Sequence, residues 1–496
     1  MLLSLFWAVY GFALLMMALY GLHRYILLYL FHKWRANVPL AGKLPSQLPA
    51  VTVQLPIYNE QYVVERLVEA VCNLDYPKEL LEIQILDDSN DETFQIAREL
   101  VEHKRENAFQ IFHLHREDRK GFKAGALQEG LEKAHGEFIA IFDADFVPPR
   151  DFLMKTIPHF SEPKVGMVQA RWGHLNENYS LLTKTQAIFL DAHFVLEHGG
   201  RNRSSRFMSF NGTAGIWRKE AILQAGGWQQ DTLTEDLDLS YRAQLAGWKF
   251  VFLPDLVAPA ELPIEMNAFK TQQHRWTKGA IQTARKILPR ILKSTLPWKV
   301  KLEAFFHLTN SSAYLYMFII SLLLFPAFLL PFNFSFLSSR HRIFLWDIPL
   351  FLLGSCSISA FYLSSRKQVN QKWWRTILFL PIMMAVGIGI SLTNAKGVLE
   401  WLLTSKGVFE RTPKFAVTSK EMPWTNKAYR SEKTLLPIVE ILLGTTFAIL
   451  IGVALKKGIY PALPFLLVFA AGYYYVGWLS LFHARKLRPR PSTRPA

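Results

Sequence analysis

Six long apolar runs limit how this 496-residue chain can fold. Most of them are close to the ~20 residues that a helix needs to cross a bilayer. Their approximate limits are residues 2–22, 305–332, 343–364, 376–395, 434–455 and 459–482. A long polar region separates the first run from the second. The pattern therefore predicts a multi-pass α-helical membrane protein with a water-soluble domain inserted between its membrane helices.

The first run predicts a retained N-terminal transmembrane anchor over residues 1–35. It lacks the basic start and the small-residue cleavage site of a signal peptide. Arg24, Lys33 and Arg35 lie at or just beyond its C-terminal end. Because basic residues next to membrane helices are retained in the cytoplasm, the domain that follows, residues 36–297, is predicted to be cytoplasmic.

The fourth run, residues 376–395, is predicted to lie along the membrane surface rather than to cross it. With five crossings, 18 of the last 22 Lys and Arg residues lie in the cytoplasm, which the positive-inside rule favours over six crossings. Pro381, Gly387 and Gly389 also suit an interfacial helix better than a spanning one. Residues 298–496 are therefore expected to form transmembrane and interfacial helices.

The net charge of +16 does not indicate a nucleic-acid partner. Residues 1–300 carry 34 Lys and Arg against 33 Asp and Glu, whereas residues 301–496 carry 22 against 7. The basic excess thus belongs to the membrane half, and the near-neutral soluble half shows no basic stripe. Two isolated cysteines, Cys72 and Cys356, indicate neither a disulfide framework nor a zinc site.

Short β-rich segments alternate with helical ones within residues 36–297, which predicts an α/β domain with a mostly parallel sheet. Residues 51–56, 82–86 and 138–142 are predicted strands, and each is followed by polar residues. In open α/β sheets, ligands bind beyond the carboxyl ends of the strands. The polar clusters therefore predict a binding site at that edge of the sheet.

Two acidic motifs have the composition of a catalytic site. Asp236 is the predicted general base, because a positioned Asp can take a proton from a hydroxyl group. The alternative is that Glu235 and Asp236 only begin a helix, where acidic residues are common. Asp143 and Asp145 can share a divalent cation with a diphosphate, and their oxygen atoms suit Mg2+ or Mn2+.

Two other positions have both a binding and a structural interpretation. Asp88 follows a predicted strand and can accept a hydrogen bond from uracil or guanine; alternatively, Asp88 and Ser89 cap the next helix. Lys123 precedes a helix-forming run and can meet a phosphate group as a point charge. Alternatively, Lys123 lies in a solvated basic helix start.

Two later segments add candidate ligand contacts. Residues 210–215 contain two glycines, which either let the backbone approach a ligand closely or form an ordinary turn. Trp276 can stack on a sugar, and Arg275 can bind a pyrophosphate. Alternatively, both side chains belong to the membrane interface, where Trp is enriched and Arg extends toward water.

Together these motifs resemble the family 2 glycosyltransferases of the cellulose synthase superfamily, and the resemblance covers nearly the whole chain. It rests on the order and spacing of four motifs, Asp87-Asp88, Asp143-Ala144-Asp145, Thr234-Glu235-Asp236 and Gln272-x-x-Arg275-Trp276. Within the superfamily, the chain is most similar to cellulose synthase-like mannan and glucan synthases and their bacterial relatives. The resemblance implies a GT-A type, Rossmann-like domain and inversion at the anomeric carbon.

The resemblance also implies roles for individual residues. Asp236 is implied to deprotonate the acceptor, with Glu235 beside it in the catalytic motif. The residues implied to bind the nucleotide sugar are Tyr58, Glu60, Asp87, Asp88, Lys123, Asp143, Gln272 and Arg275. The residues implied to contact the acceptor are Asn211, Gly212, Thr213 and Trp276. Asp143 and Asp145 are implied to hold Mg2+ or Mn2+.

One further match lies outside the domain and predicts a gating loop at about residues 406–433. It is similar to the loop of cellulose synthases that closes over the nucleotide sugar. The matching residues are Phe415, Val417, Thr418 and Lys420. Residues 409–414 are a poorer copy of the same pattern, so two registers stay open. A gating loop must be cytoplasmic, which supports five crossings.

These features predict a membrane-embedded, processive, inverting β-glycosyltransferase. It is expected to polymerise glucose or mannose from UDP-glucose or GDP-mannose and to pass the β-glycan through its own membrane helices. The alternative is a non-processive enzyme that transfers a sugar to a membrane lipid such as a ceramide or diacylglycerol. A transporter is disfavoured because intramembrane carboxylates are scarce, with Asp347 and Glu440 near predicted span ends. Its membrane is a bacterial inner membrane or a eukaryotic Golgi or plasma membrane.

Overall fold

The computed structural model describes residues 2–330, 343–370, 372–403, 411–419, 421, 422, 424, 427 and 434–486. The strands are β1 (Val51–Ile57), β2 (Leu81–Asp87), β3 (Gln110–His115), β4 (Phe138–Ile141), β5 (Val165–His174), β6 (Gly215–Arg218) and β7 (Lys249–Ala260). The α-helices up to the end of the domain are α1 (Leu2–Lys33), α2 (Val64–Cys72), α3 (Thr93–Glu106), α4 (Phe122–Lys133), α5 (Phe152–Thr156), α6 (Leu181–Ala192), α7 (Gly199–Arg203), α8 (Lys219–Gln224), α9 (Glu235–Leu245) and α10 (Met266–Lys293). The helices that follow are α11 (Trp298–Thr309), α12 (Ser312–Leu329), α13 (Ile348–Val369), α14 (Leu380–Gly389), α15 (Ser391–Leu403), α16 (Leu436–Lys456) and α17 (Leu463–Lys486).

The strands form one sheet in the order β3-β2-β1-β4-β6-β5-β7. Among the described strands, only β6 runs antiparallel to its neighbours, whereas β1 pairs in parallel with both β2 and β4. The predicted α/β domain with a mostly parallel sheet is therefore confirmed, and the three predicted strands are β1, β2 and β4. Because these strands share a direction, the polar residues that follow them meet at one edge of the sheet.

Both faces of the sheet are buried, as a sheet between two helical layers requires. Successive residues of a strand point to opposite faces. Phe138 and Ala140 of β4 accordingly pack on the face covered by α2, whereas Ile139 and Ile141 pack on the face covered by α4. This double burial fixes the strands, so that the ends of β1, β2 and β4 form a rigid edge.

Six described helical segments are long and apolar enough to cross a membrane, judged by length and hydropathy. They are Leu2–Lys33, Ser312–Leu329, Leu345–Val369, Trp373–Trp401, Leu436–Lys456 and Tyr460–Lys486. On these two criteria the chain is a multi-pass membrane protein. The first helix is longer than the predicted run, because it continues through the basic residues up to Lys33.

The fourth of these segments is broken into shorter helices, and two parts of it contact the domain. In its first half, Leu380 and Met383 pack against Ile188 of α6. Toward its end, Glu400 lies 3.0 Å from the ammonium group of Lys278 on α10. The position of this segment along the membrane surface stays a prediction.

Buried ion pairs join the membrane helices to the domain. Glu303 of α11 contacts His23 of α1 and Arg201 of α7, each at 3.0 Å. Lys270 of α10 pairs with Glu440 of α16 at 2.6 Å, and both side chains are buried. Because a buried charge without its partner is strongly destabilising, these pairs hold α10 and its neighbours in one position relative to the membrane helices.

Candidate functional site

A cleft opens at the carboxyl ends of β1, β2 and β4, where the sequence predicted a binding site. Its polar lining includes Tyr58, Glu60, Asp88, Arg119, Lys123, Asp143, Asp145, Asn211, Glu235, Asp236, Gln272, Arg275, Trp276, Arg411 and Lys414. Most of the residues that the motifs singled out therefore lie in one cavity. They come from the sheet edge, from α9 and α10, and from the segment after the fourth membrane segment.

Asp236 lies in the first turn of α9, which begins at Glu235. Both acidic residues thus begin a helix, and both also line the cleft. The carboxylate of Asp236 accepts a hydrogen bond from the backbone N–H of Leu237 at 2.8 Å. Burial, together with the charge of Glu235, raises the pKa of Asp236 to about 7, although Lys123 acts in the opposite direction. A carboxyl group with such a pKa can exchange protons near neutral pH.

Lys123 lies between the acidic residues of the cleft. Its ammonium group donates to Asp143 at 2.5 Å and to the carbonyl oxygen of Gly212 at 2.9 Å. The backbone of Gly212 is left-handed, with φ +78°, and a Cβ atom there would lie 3.0 Å from a carboxylate oxygen of Asp236. Only glycine fits this position without strain, and its absent side chain leaves the space around Asp236 open.

Asp143 and Asp145 have the donor set for a hard divalent cation. Both side chains line the cleft, and carboxylate oxygens are the ligands that Mg2+ and Mn2+ prefer. In this structure each carboxylate instead contacts a lysine: Asp143 contacts Lys123, and Asp145 contacts Lys414 at 2.7 Å. The ammonium groups of Lys123 and Lys414 thus neutralise the carboxylates of Asp143 and Asp145. Two neighbouring carboxylates that need positive charge fit a divalent cation.

A second group of side chains forms the corner of the cleft next to β1 and β2. Asp88 accepts two hydrogen bonds from the guanidinium group of Arg116, at 2.7 and 2.6 Å. The guanidinium carbon of Arg119 lies 3.2 Å from the ring centre of Tyr58. This corner offers one flat surface and one acidic acceptor, which are the two features that a nucleobase site needs.

The capping interpretation of Asp88 and Ser89 is wrong for α3. The N–H group of Thr93, the first residue of α3, donates to the carboxylate of Asp91 at 3.0 Å. The hydroxyl oxygen of Ser89 instead accepts from the backbone N–H of Asn59 at 2.8 Å and thereby joins the ends of β1 and β2. Asp88 therefore does not cap α3, and it lines the cleft instead.

The structure does not bring two of the predicted ligand residues to the surface of the cleft. Asp87 is fully buried on the β3 side, where it contacts His113 at 2.8 Å. Thr213 is also fully buried, and its hydroxyl oxygen accepts from the N–H group of Asp143 at 2.8 Å. Thr213 therefore positions Asp143, and Asp87 holds β2 against β3.

Helix α10 forms another wall. Gln272, Arg275 and Trp276 lie three and four residues apart, so that they share one face, and all three line the cleft. A Cβ atom at Gly279 would lie 2.9 Å from the backbone nitrogen of Thr234, which shows how closely α10 approaches the start of α9. Trp276 thus lines the cleft, as the binding interpretation predicts, and its position relative to the membrane interface stays a prediction.

Asn211 also lines the cleft. Its backbone N–H donates to the side-chain oxygen of Gln169 at 3.0 Å, and its amide group donates to the ring of His193 at 2.8 Å. The contact with His193 fixes the orientation of the Asn211 side chain.

Arg275 lies close to three carboxylates of the cleft. Burial lowers the pKa of its guanidinium group, and the carboxylates of Glu235, Asp143 and Asp236 oppose that shift.

The predicted gating loop reaches the cleft through the residues just before the matched motif. Arg411 donates two hydrogen bonds to Glu60, at 3.0 and 2.8 Å, and Lys414 contacts Asp145. Phe415 and Val417 are instead buried in an apolar cluster with Ile264 and Trp424. Thr418 contacts the sulfur of Met422 at 3.6 Å, and Lys420 lies outside the described residues.

Sequence reasoning missed several residues of the cleft. Arg411 and Lys414 belong to the stretch judged a poorer copy of the gating motif, and their basic character was the available signal. His174 also lines the cleft and contacts Asp191 at 3.1 Å. Asp191 in turn pairs with Arg366 of α13. The hydrophobic periodicity of the sequence does not indicate that α13, through Arg366 and Asp191, supports the His174 side of the cleft.

Comparison with known proteins agrees with this geometry. Residues 49–279 match the family model described as "Glycosyltransferase like family 2". The chain is 45% identical over 255 residues to a glucomannan 4-beta-mannosyltransferase 2 of Arabidopsis thaliana, covering 50% of this chain and 48% of that protein. It is also 45% identical over 269 residues to a glucomannan 4-beta-mannosyltransferase 1 of Oryza sativa subsp. japonica, covering 51% and 50%. The chain thus spans about half the length of the curated relatives it matches.

A solved structure shows the same fold. It is a mannosyltransferase of Pyrobaculum calidifontis in complex with GDP-Man and Mn2+, with a TM-score of 0.51 and 17% sequence identity. The comparison covers 79% of this chain and 99% of that one. At this identity the likeness concerns the fold, which is the predicted GT-A type. Residues 49–279, a little under half of the chain, thus match the model of the family 2 glycosyltransferases, and the solved structure adds a shared fold.

Proposed function

We propose that the chain is a membrane-embedded, inverting β-hexosyltransferase that builds a β-linked polymer from a nucleotide sugar and passes it into its membrane helices. Mannose from GDP-mannose is the hexose that the names of the relatives favour, and glucose from UDP-glucose is the alternative. One observation carries the proposal: a carboxyl group with a pKa of about 7, Asp236, shares a cleft with Asp143, Asp145, Arg275 and Trp276.

Asp236 is the proposed general base. It takes the proton of an acceptor hydroxyl group while the oxygen of that group bonds to the anomeric carbon of the donor. The bond between the anomeric carbon and the diphosphate oxygen breaks, and the nucleoside diphosphate leaves. A single displacement inverts the configuration at that carbon. The raised pKa of Asp236 suits this role, because a base is most effective when its pKa lies near the working pH.

Lys123 and Arg275 are the proposed partners of the diphosphate. Lys123 already bridges Asp143 and the backbone of Gly212, and Arg275 faces the same acidic cluster. The fixed positive charges compensate the negative charge of the donor and of the leaving group. A Mg2+ or Mn2+ ion held by Asp143 and Asp145 would supply further charge neutralisation at the diphosphate.

The two ends of the donor are proposed to bind at opposite ends of the cleft. The nucleobase lies between Tyr58 and Asp88, and the sugar lies toward Asp236. Trp276 then offers a flat face to the acceptor sugar, since aromatic rings stack on the apolar faces of sugars. Because α10 continues into contacts with the membrane helices, a chain that leaves Trp276 has a short path into them.

The test is sugar incorporation by the full-length protein, purified and reconstituted in lipid. Labelled GDP-mannose and UDP-glucose are offered separately, each with Mg2+ or Mn2+, and the products are sized and digested with linkage-specific mannanase or cellulase. A long, mannanase-sensitive product from GDP-mannose is expected. A cellulase-sensitive product from UDP-glucose would move the proposal to the other hexose. A single lipid-soluble product would replace polymerisation by lipid glycosylation, and no incorporation from either donor would refute the proposal.

A further inference from the structure

A second group of metal-binding side chains lies outside the cleft, at the edge of the sheet. Asp87 ends β2, and His113 and His115 lie at the end of β3, the outermost strand. One donor atom of each residue lies within 4.8 Å of the other two. This group does not include Asp143 or Asp145. The proposed glycosyl transfer does not use the side chains of Asp87, His113 or His115.

The strand register explains why the three side chains converge. His115 is directly opposite Asp87 in the parallel ladder, and His113 is opposite Ile85. Residues two apart on a strand project from the same face, so both imidazoles lie on the face of Asp87. The convergence therefore follows from a regular sheet and needs no movement of the backbone.

The distances suit a single small cation. An imidazole nitrogen of His113 lies 2.8 Å from one carboxylate oxygen of Asp87, and a nitrogen of His115 lies 3.7 Å from the same oxygen. Ligand atoms about 2.1 Å from a tetrahedral ion are separated by roughly 3.4 Å. The two observed distances lie on either side of that value, so small side-chain rotations suffice.

The surroundings orient these donors. The other oxygen of Asp87 accepts the backbone N–H of Ser89 at 2.8 Å, which leaves the first oxygen directed at the histidines. The ring of Phe94 packs against both imidazoles, with centre-to-centre distances of 5.3 and 4.6 Å. Such outer contacts fix ligands in metal sites. The side chain of His115 is 30% exposed, so an ion has a path from solvent.

We propose that Asp87, His113 and His115 form a zinc-binding site that links β2 to β3. Two imidazoles and one carboxylate suit zinc better than Mg2+, which prefers oxygen ligands only. Three protein ligands leave one position open to solvent. The site lies next to the nucleobase corner, because Arg116 follows His115 and holds Asp88. Zinc would therefore stiffen that corner without entering the cleft.

The test is zinc titration of the full-length protein by calorimetry, after chelators have removed bound metals. Excess Mg2+ is present throughout, so that the oxygen-only pair Asp143 and Asp145 is occupied by the ion that it prefers. One zinc ion per chain is expected to bind. His115→Ala is expected to weaken that binding at least ~10-fold, since even outer contacts to metal ligands are worth 10- to 100-fold.

The matched control is His135→Ala. His135 also lies beside a carboxylate, Glu82, at 3.3 Å, but among the residues that the structure describes it belongs to no group of three donors. Its removal is expected to leave zinc affinity unchanged. Equal zinc affinities of the two variants, or no zinc binding by the unmodified protein, would overturn the proposal.

X-ray absorption at the zinc edge of the unmodified protein decides the matter if His115→Ala does not fold. The expected spectrum shows two imidazoles and only nitrogen or oxygen donors. Sulfur in the first shell would assign the zinc to Cys72 or Cys356 and refute the proposed site. Neither measurement depends on glycosyl transfer, so this site and the proposed function stand or fall separately.

Discussion

The two ends of the cleft use the same kind of side chain in different electrostatic settings. At the proposed nucleobase end, formed by Tyr58, Asp88, Arg116 and Arg119, the carboxylate is matched by one guanidinium group in a two-bond pair. At the proposed reaction end, formed by Lys123, Asp143, Glu235, Asp236 and Arg275, three carboxylates share two cations. A fully paired carboxylate is suited to binding, whereas an under-compensated one keeps a proton that it can exchange. Charge compensation, rather than residue type, separates the two roles.

The largest expected effect comes from removing the proposed general base, Asp236, at the proposed reaction end. Asp236→Asn keeps the size of the side chain and one oxygen that can accept from the N–H group of Leu237, but it cannot take the acceptor's proton. Glycosyl transfer should fall by about 10³-fold, because general-base catalysis contributes 10² to 10⁴. Binding of the nucleoside diphosphate, measured by calorimetry, should stay within a factor of a few. Asp231→Asn, an exposed position outside the cleft, serves as the control, and substantial transfer by Asp236→Asn would show that another group is the base.

Glycosyl transfer and nucleoside diphosphate binding should differ in their dependence on pH. Because burial and Glu235 raise the pKa of Asp236 to about 7, kcat/KM for transfer should rise about tenfold per pH unit below 7 and level off above it. Binding of the nucleoside diphosphate alone should not follow this profile. Initial rates and calorimetric affinities between pH 5.5 and 8.5, a range of about three units around that pKa, test both statements. A flat rate profile would contradict the assignment of Asp236.

The same shift has a consequence for stability. A carboxyl group whose pKa is raised by folding binds its proton more tightly in the folded state. Its favourable contribution is therefore present below the unfolded pKa of 3.8 and is lost as the pH rises through about 7. Asp236→Asn should flatten the decline of thermal stability over that interval. An unchanged decline would mean that other buried acids, such as Glu235, carry it.

A smaller effect on glycosyl transfer is expected from changes at the proposed nucleobase end. Asp88→Asn should raise the KM for the donor by about tenfold and change kcat little, because a hydrogen bond to a charged group is worth ~1.5–3 kcal/mol. Arg116→Ala is the companion variant, since it removes the other half of the pair while leaving the acceptor oxygens of Asp88. A loss in kcat that exceeds the change in KM would break the proposed division between the two ends.

The smallest expected effect concerns residues 411–414, whose basic side chains contact Glu60 and Asp145 in the cleft. Lys414→Ala removes an ion pair with Asp145 in which the side chains are 15% and 4% exposed. Because the pair borders the open cleft, water compensates part of the charge of Asp145, and the loss is expected to stay near ~1 kcal/mol, below that for a pair in a closed interior. The donor KM should change by about threefold. Thr418→Ala, within the matched motif but away from the cleft, should leave the KM unchanged. The reverse result would place the gating function in the matched motif rather than in the residues before it.

The sequence was sufficient wherever the site depends on regular structure. Asp88 and Asp143 follow buried parallel strands, so their arrival at one edge could be predicted from strand order alone. Gln272, Arg275 and Trp276 share a face through helical periodicity. In both cases, local geometry places the side chain, and the structure brings these residues into one cleft.

Contacts between distant segments could not be predicted in the same way. Arg411 pairs with Glu60 across 351 residues of sequence, and no local pattern specifies where such a loop docks. Asp87 shows a second limit, because the pair Asp87 and Asp88 looks uniform in sequence although the two side chains diverge at the end of β2. The resemblance assigned Asp87 and Asp88 the same role, whereas the backbone directs their side chains to different places.

The apolar contacts between the domain and the helices that follow it bear on where this protein can be divided. Leu182 of α6 and Met266 and Phe269 of α10 pack in one cluster with Val386, Ile390 and Val476. Expression of residues 36–297 alone would leave these side chains facing water, and contiguous apolar patches of that kind promote aggregation. The fragment that looks like an independent enzyme in sequence is therefore expected to be insoluble, and inhibitor screening or crystallisation needs the whole chain in detergent or lipid.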